Sequence, residues 1–157
     1  MTSSRLRFFG AVAVTALTLS AAANAAAPTG RYVVTNDGTS SGTVYDTKTK
    51  LTWQQTVTST AYTWANAKTY CTGVGTSLGG TGWRLPTLKE LQTIIDFSQA
   101  SPSIDSTAFP STPPSIFWSA SLLTGSTSYA WYVDFSAGNS WNDGNIGAAT
   151  FRVRCVR

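Results

Sequence analysis

Beyond residue 30 the chain alternates apolar and polar positions, passes through two stretches of three-to-four periodicity, and returns to alternation in its last third. Tyr32-Val33-Val34 reads as a strand and Asn36-Asp37-Gly38 as a turn. Thr43-Val44-Tyr45 and Leu51-Thr52-Trp53 predict a hairpin around Asp46 to Lys50. Thr60 is the expected cap of a first helix, whose inner face carries Trp64, Ala67 or Lys68, Cys71 and Val74 at helical spacing. Five glycines between Gly73 and Gly82 end that helix in a loop. A second helix starts at Thr87-Leu88-Lys89-Glu90, which is a capping box. The threonine oxygen accepts from the Glu90 amide while the carboxylate reaches back to the Thr87 amide. Pro86 and Leu91 take the hydrophobic-staple positions, and Leu88, Leu91, Ile94 and Ile95 form the buried stripe.

Serine and proline from Ser98 to Ser115 predict a long irregular connection. After it, Ile116-Phe117-Trp118, Tyr129 to Phe135 and Thr150 to Val156 are rich in β-branched and aromatic residues and read as strands. Ser136-Ala137-Gly138-Asn139 and Asn142-Asp143-Gly144-Asn145 are the expected turns between them. The pattern is α+β: antiparallel strands at both ends, two helices between, and no repeats or heptads.

The start of the chain changes the compartment. Arg5 and Arg7, an apolar run from Phe8 to about Leu19, and Ala23-Asn24-Ala25 follow the order of a secretory signal with an A-x-A cleavage site. The run falls short of the ~20 residues needed to cross a bilayer, so no membrane span is expected after cleavage. Residues 1–25 are therefore read as signal peptide and residues 30–157 as one domain, destined for the periplasm, the cell surface or the medium. Losing Arg5 and Arg7 takes the formal charge from +4 to +2. The remaining cations are scattered, apart from Arg152, Arg154 and Arg157, and form no basic stripe for a nucleic acid. Cys71 and Cys155 are the two cysteines of the chain. In an oxidising compartment they read as one disulfide.

Histidine is absent. That excludes a Ser-His-Asp triad, a Cys-His pair and any zinc site that needs imidazole. The surviving catalytic option is a pair of carboxylates, Asp134 and Asp143, approaching across a hairpin for glycoside hydrolysis. Of the six tryptophans, Trp53, Trp64, Trp83 and Trp118 lie in or beside regular elements and are expected in the core. Trp131, Val133 and Phe135 should share one buried face. Trp141 lies among polar residues and is the candidate for an exposed, ligand-contacting indole.

Gly82-Trp83-Arg84-Leu85-Pro86-Thr87, with Glu90-Leu91, resembles the W-R-L-P-T-x-x-E-L hallmark of the Lcl C-terminal-domain family, named after the tail of a bacterial collagen-like adhesin. Gly42 to Asp46 with Leu51 to Gln54, Phe117 to Ser121, Ala130 to Gly138 and Val153 to Arg157 resemble other parts of its pattern. The resemblance implies a C-type-lectin-like fold, in which a helix cysteine pairs with one on the final strand. Trp141-Asn142-Asp143 also reproduces a triplet with which lectins hold calcium and sugar. Asn142 and Asp143 are thus candidate Ca²⁺ ligands, although two side chains fall short of the six to eight oxygens that the ion takes. The functional expectation is a non-enzymatic recognition or adhesion domain for an extracellular carbohydrate or glycosaminoglycan, contacted by Asp134, Asn139, Trp141, Asn142, Asp143 and Asn145. The alternatives are a structural or protein-interaction domain of a cell-envelope or appendage assembly, and a carboxylate-dependent glycan-active enzyme.

Overall fold

The computed structural model describes residues 27–35 and 42–157. The expected export signal and the Asn36-Asp37-Gly38 turn lie outside these residues. The described chain is a mixed α/β domain of two three-stranded antiparallel sheets with helical segments between them. Strands β1 (Tyr32–Thr35), β2 (Thr43–Asp46) and β3 (Thr52–Gln54) form the first sheet in that order. Strands β4 (Ile116–Leu122), β5 (Tyr129–Asp134) and β6 (Asn139–Asn145) form the second.

The β2–β3 hairpin closes as its sequence predicts. Asp46 Oδ1 accepts from the amides of Lys48 and Thr49, and Lys50 takes the left-handed conformation with φ 63°. Asp46 is also buried and paired with Arg31 at 2.9 Å. Burial would raise its pKa, but the Arg31 hydrogen bond and the Lys48 amide outweigh it and hold the carboxyl below its usual range.

Helix α1 (Trp64–Gly73) buries Ala67 and Cys71, one turn apart, as the spacing requires. Its cap is Thr63, not Thr60. The reason lies just before it. Tyr62 exchanges both backbone hydrogen bonds with Phe151, so the chain is still extended there and cannot enter a helix. The glycine-rich stretch holds one unexpected helical turn, α2 (Gly75–Leu78), before it opens into a loop.

Helix α3 (Leu88–Gln92) begins with the expected capping box. The Thr87 hydroxyl accepts from the Glu90 amide at 3.3 Å, and the Glu90 carboxylate accepts from the Thr87 amide at 2.8 Å. The same carboxylate receives Arg84 in a two-pronged pair at 2.6 and 2.8 Å. That guanidinium is the main reason the Glu90 pKa is pushed down to about 2.

The second sheet is covered on both sides along β4 and β5, which carry apolar residues on both faces. Phe117, Val133 and Phe135 point into one core with Val44, Trp53, Leu91, Ile94 and Phe109. Trp118 and Ala130 point into the other with Ala67, Cys71, Trp83 and Val153. Trp53, Trp83 and Trp118 are buried as expected, while Trp64 is half-buried and donates to the Ser119 carbonyl. Trp131 departs from expectation: it is only half-buried. It lies between two register shifts, one toward β4 and one toward β6, where the alternation behind the expectation is interrupted.

Two other elements correct the reading. Asn142 to Asn145 is not a turn. These residues belong to β6, and the turn signal of Asn142-Asp143-Gly144 is used by a β-bulge instead. Trp141 pairs with Tyr132 and Gly144 with Ala130, so Asn142 and Asp143 both stand opposite Trp131. Gly144 is required there, because a Cβ would lie 2.5 Å from the Trp118 ring. The predicted turn at Ser136 to Asn139 does form, with Gly138 at φ 73°. Residues 150–157 run extended but do not add a continuous strand. They make single bridges from Phe151 to Tyr62, from Arg152 to Phe117, and from Val156 to both Trp53 and Arg84. Cys155 in this segment is bonded to Cys71 across a separation of 84 residues.

Two stability measurements test this account. Replacing both cysteines by alanine should cost about 4 kcal/mol, because the open chain regains loop entropy. Calorimetry should then show Tm lower by roughly 10–15 °C. An unchanged Tm would mean that the ends are held without the bond. The second test concerns acid. The Glu90 pKa lies below its ordinary 4.5 in the folded protein, so its contribution is present above that value and lost as pH falls toward about 2. Urea midpoints should therefore drop across this window, and Glu90→Gln should flatten the drop while leaving the part due to Asp46.

Candidate functional site

Strand β6 is the outer strand of its sheet, and its sequence alternates polar residues around one large aromatic. Trp141 is 57% exposed, an unusual cost for an indole on a strand. Its cross-strand neighbour is Tyr132, whose hydroxyl donates to Asp143 Oδ1 at 2.7 Å. Burial, reinforced by that carboxylate, pushes the Tyr132 pKa up to about 12, so the phenol remains a donor at any physiological pH.

Tyr132 is fixed from behind. Its ring meets Phe151 edge-on at 5.0 Å, and Phe151 lies against Trp118 at 4.2 Å. The Trp118 indole in turn donates to the Tyr62 carbonyl at 2.8 Å. Trp141 and Asp143 therefore stand on a surface whose base is packed aromatic rings, the arrangement a rigid binding face requires.

The structure separates the other candidate residues by role. Asn139 is exposed at the start of β6, opposite Asp134. Asp134 Oδ1 accepts from the Ser136 amide and shapes the β5–β6 turn. Asn145 Oδ1 likewise accepts from the amides of Gly147 and Ala148 and shapes the turn after β6. Asn142 is half-buried at the bulge. Trp141 and Asp143 thus come together with Tyr132, whereas Asp134 and Asn145 serve the backbone. Tyr132 was missing from the sequence expectation, although alternation with Val133 and Phe135 already placed it on the opposite face.

The register also separates Asp134 from Asp143. Asp134 pairs with Asn139, and Asp143 stands opposite Trp131, three residues away, which is roughly 10 Å along a strand. Each carboxylate is engaged with another group, Asp134 with the Ser136 amide and Asp143 with the Tyr132 hydroxyl. The donor set does not fit calcium. Asn142 and Asp143 offer two side chains, one half-buried and one already accepting from Tyr132, and no cluster of three or more His, Cys, Asp or Glu residues occurs among the described residues.

The hallmark segment has a structural task away from this face. Trp83 donates to the Gly79 carbonyl and lies under the Arg157 guanidinium, Arg84 pairs through its backbone with Val156, and Leu85 and Pro86 are buried. With the Thr87–Glu90 box it fastens the end of the chain to the start of α3.

Among the described residues no helix is long and apolar enough to cross a membrane. No curated protein and no solved structure matches the chain. The Lcl C-terminal domain pattern matches residues 42–157, and β1, which precedes them, is paired with β2 in the same sheet. The chain belongs to the Lcl C-terminal domain family.

Proposed function

We propose that this chain is an exported, non-enzymatic recognition domain of C-type-lectin-like type that binds carbohydrate through the Trp141 face. One observation carries the reading: an indole more than half exposed, on a strand pinned by the Tyr132–Asp143 hydrogen bond and by packed rings beneath it. An indole face stacks on the apolar C–H face of a pyranose, while a carboxylate and a phenol accept and donate to its hydroxyls. The surface needs no rearrangement before it binds, which lowers the cost of association.

Other features support the finer points. The Cys71–Cys155 bond suits an oxidising compartment and agrees with the export signal. It also ties the first long helix to the terminal segment, as in lectin-like folds. The non-enzymatic reading is supported by the absence of histidine, by both sulfurs being bonded and by the turn duty of Asp134, which accepts from the Ser136 amide. A second reading, a protein contact within an envelope assembly, is favoured by Val33 and Tyr45. They form an exposed apolar cross-strand pair on the first sheet.

Trp141→Ala should weaken glycan binding at least about tenfold, as expected for removal of a central aromatic anchor. Its Tm should stay within about 2 °C of the parent, because little burial is lost at an exposed position. The measurement is a glycan array followed by titration calorimetry on the oxidised protein. Unchanged binding to every glycan retained by the parent would count against the assignment.

A further inference from the structure

We infer that the Trp141 face takes neutral pyranose residues and rejects sulfated or uronic-acid polymers, an assignment that rests on the carbohydrate reading above. The ground for it is where the charges lie. From Ile116 to Phe151, which spans the whole second sheet and its turns, the only charged residues are Asp134 and Asp143. An anionic polymer bound at this face would meet two carboxylates and no lysine or arginine from the sheet itself.

The cations of the segments packed against the sheet belong to other contacts or to its other side. Arg152 follows the sheet in sequence, and its guanidinium donates to the carbonyls of Thr58 and Ser59. Lys68 on α1 lies over the Trp64 ring at 4.3 Å. Lys89 belongs to α3, which packs behind the sheet: Gln92 of that helix donates to Ser140, whose side chain leaves β6 on the face opposite Trp141. Sulfate and uronate are held most strongly by paired guanidinium or ammonium groups, and the sheet supplies none.

The same residues suit an uncharged sugar. Asp143 is exposed, receives one hydroxyl from Tyr132 and has no cationic partner among the described residues. Its remaining lone pairs can accept from adjacent sugar hydroxyls in charge-assisted hydrogen bonds. Trp141 covers the C–H face of the ring beside them. A sugar that brings hydroxyls gains from the carboxylate, and one that brings sulfate loses to it.

The test is retention of the oxidised protein on immobilised neutral polymers (dextran, mannan, galactan) and on heparin and chondroitin sulfate, at low and high salt. The expected result is retention on at least one neutral polymer, insensitive to salt, abolished by Trp141→Ala and weakened about tenfold by Asp143→Asn. Preference for a sulfated polymer, lost in Trp141→Ala and in high salt, would overturn the neutral assignment and leave the recognition surface standing. Binding of any polymer that survives Trp141→Ala, or retention on none of them, would overturn the surface itself and the inference with it.

Discussion

The arrangement depends on the last seven residues being threaded through the middle of the molecule. Phe151 bonds to Tyr62, Arg152 to Ile116 and Trp118, Cys155 to Gln54, Val156 to Arg84 and Arg157 to Thr52. One short segment thereby joins the first sheet, the approach to α1, the approach to α3 and the inner edge of the second sheet. Closing contacts over about a hundred residues costs chain entropy before any contact repays it, and the disulfide reduces that cost by restricting the open chain. Arg154 completes the clasp. It is fully buried, with its guanidinium on the carbonyls of Gln54 and Gln55, on the Thr112 hydroxyl and against the Phe109 ring. No carboxylate balances it among the described residues. Desolvating a guanidinium is expensive, so its merit is geometric, because a planar fork can hold two carbonyls at the end of β3 and a hydroxyl of the long connection at one point.

This clasp also decides which edge of the second sheet is free. β4 is occupied by the parallel bridge between Phe117 and Arg152, leaving β6 outermost. The ring row from Trp118 through Phe151 to Tyr132 carries the rigidity of the clasp out to that edge. Site and scaffold are thus one construction. Phe151 is both a member of the terminal segment and the support for the tyrosine that holds Asp143.

What could be read from the sequence was what depends on near neighbours. The capping box at Thr87, the inward face of Cys71 and the β2–β3 hairpin each rest on residues within four positions, and each formed. The disulfide followed from cysteine count and compartment. The misreadings came from distant partners. Thr60 is a good cap, but Tyr62 is claimed by Phe151, so the helix starts three residues later. Asn142-Asp143-Gly144 is a good turn, but Trp118 needs a residue without a side chain above it, and the signal went into a bulge. Arg154 reads in the sequence as one of three clustered cations with Arg152 and Arg157, and nothing local marks its guanidinium for burial. Of the candidate site, Trp141 and Asp143 were legible from polarity. Tyr132 and the turn duties of Asp134 and Asn145 needed the register.

An outermost strand offers a partner two things, its backbone and its side chains, and β6 is built to withhold the first. The bulge at Asn142 and Asp143 interrupts the row of hydrogen-bonding groups, and Asn139, Asp143 and Asn145 surround it with polar, poorly β-forming residues. These are devices that keep edges from pairing with another strand. A ligand that added itself as a strand would have to work against all of them. A ligand that lies flat on the indole would not, because the bulge leaves Trp141 and Asp143 on the same side of the strand, beside Tyr132. The irregularity spoils the edge for a peptide yet keeps an aromatic face and a carboxylate together, and that combination suits a small ring bearing hydroxyls better than an extended chain.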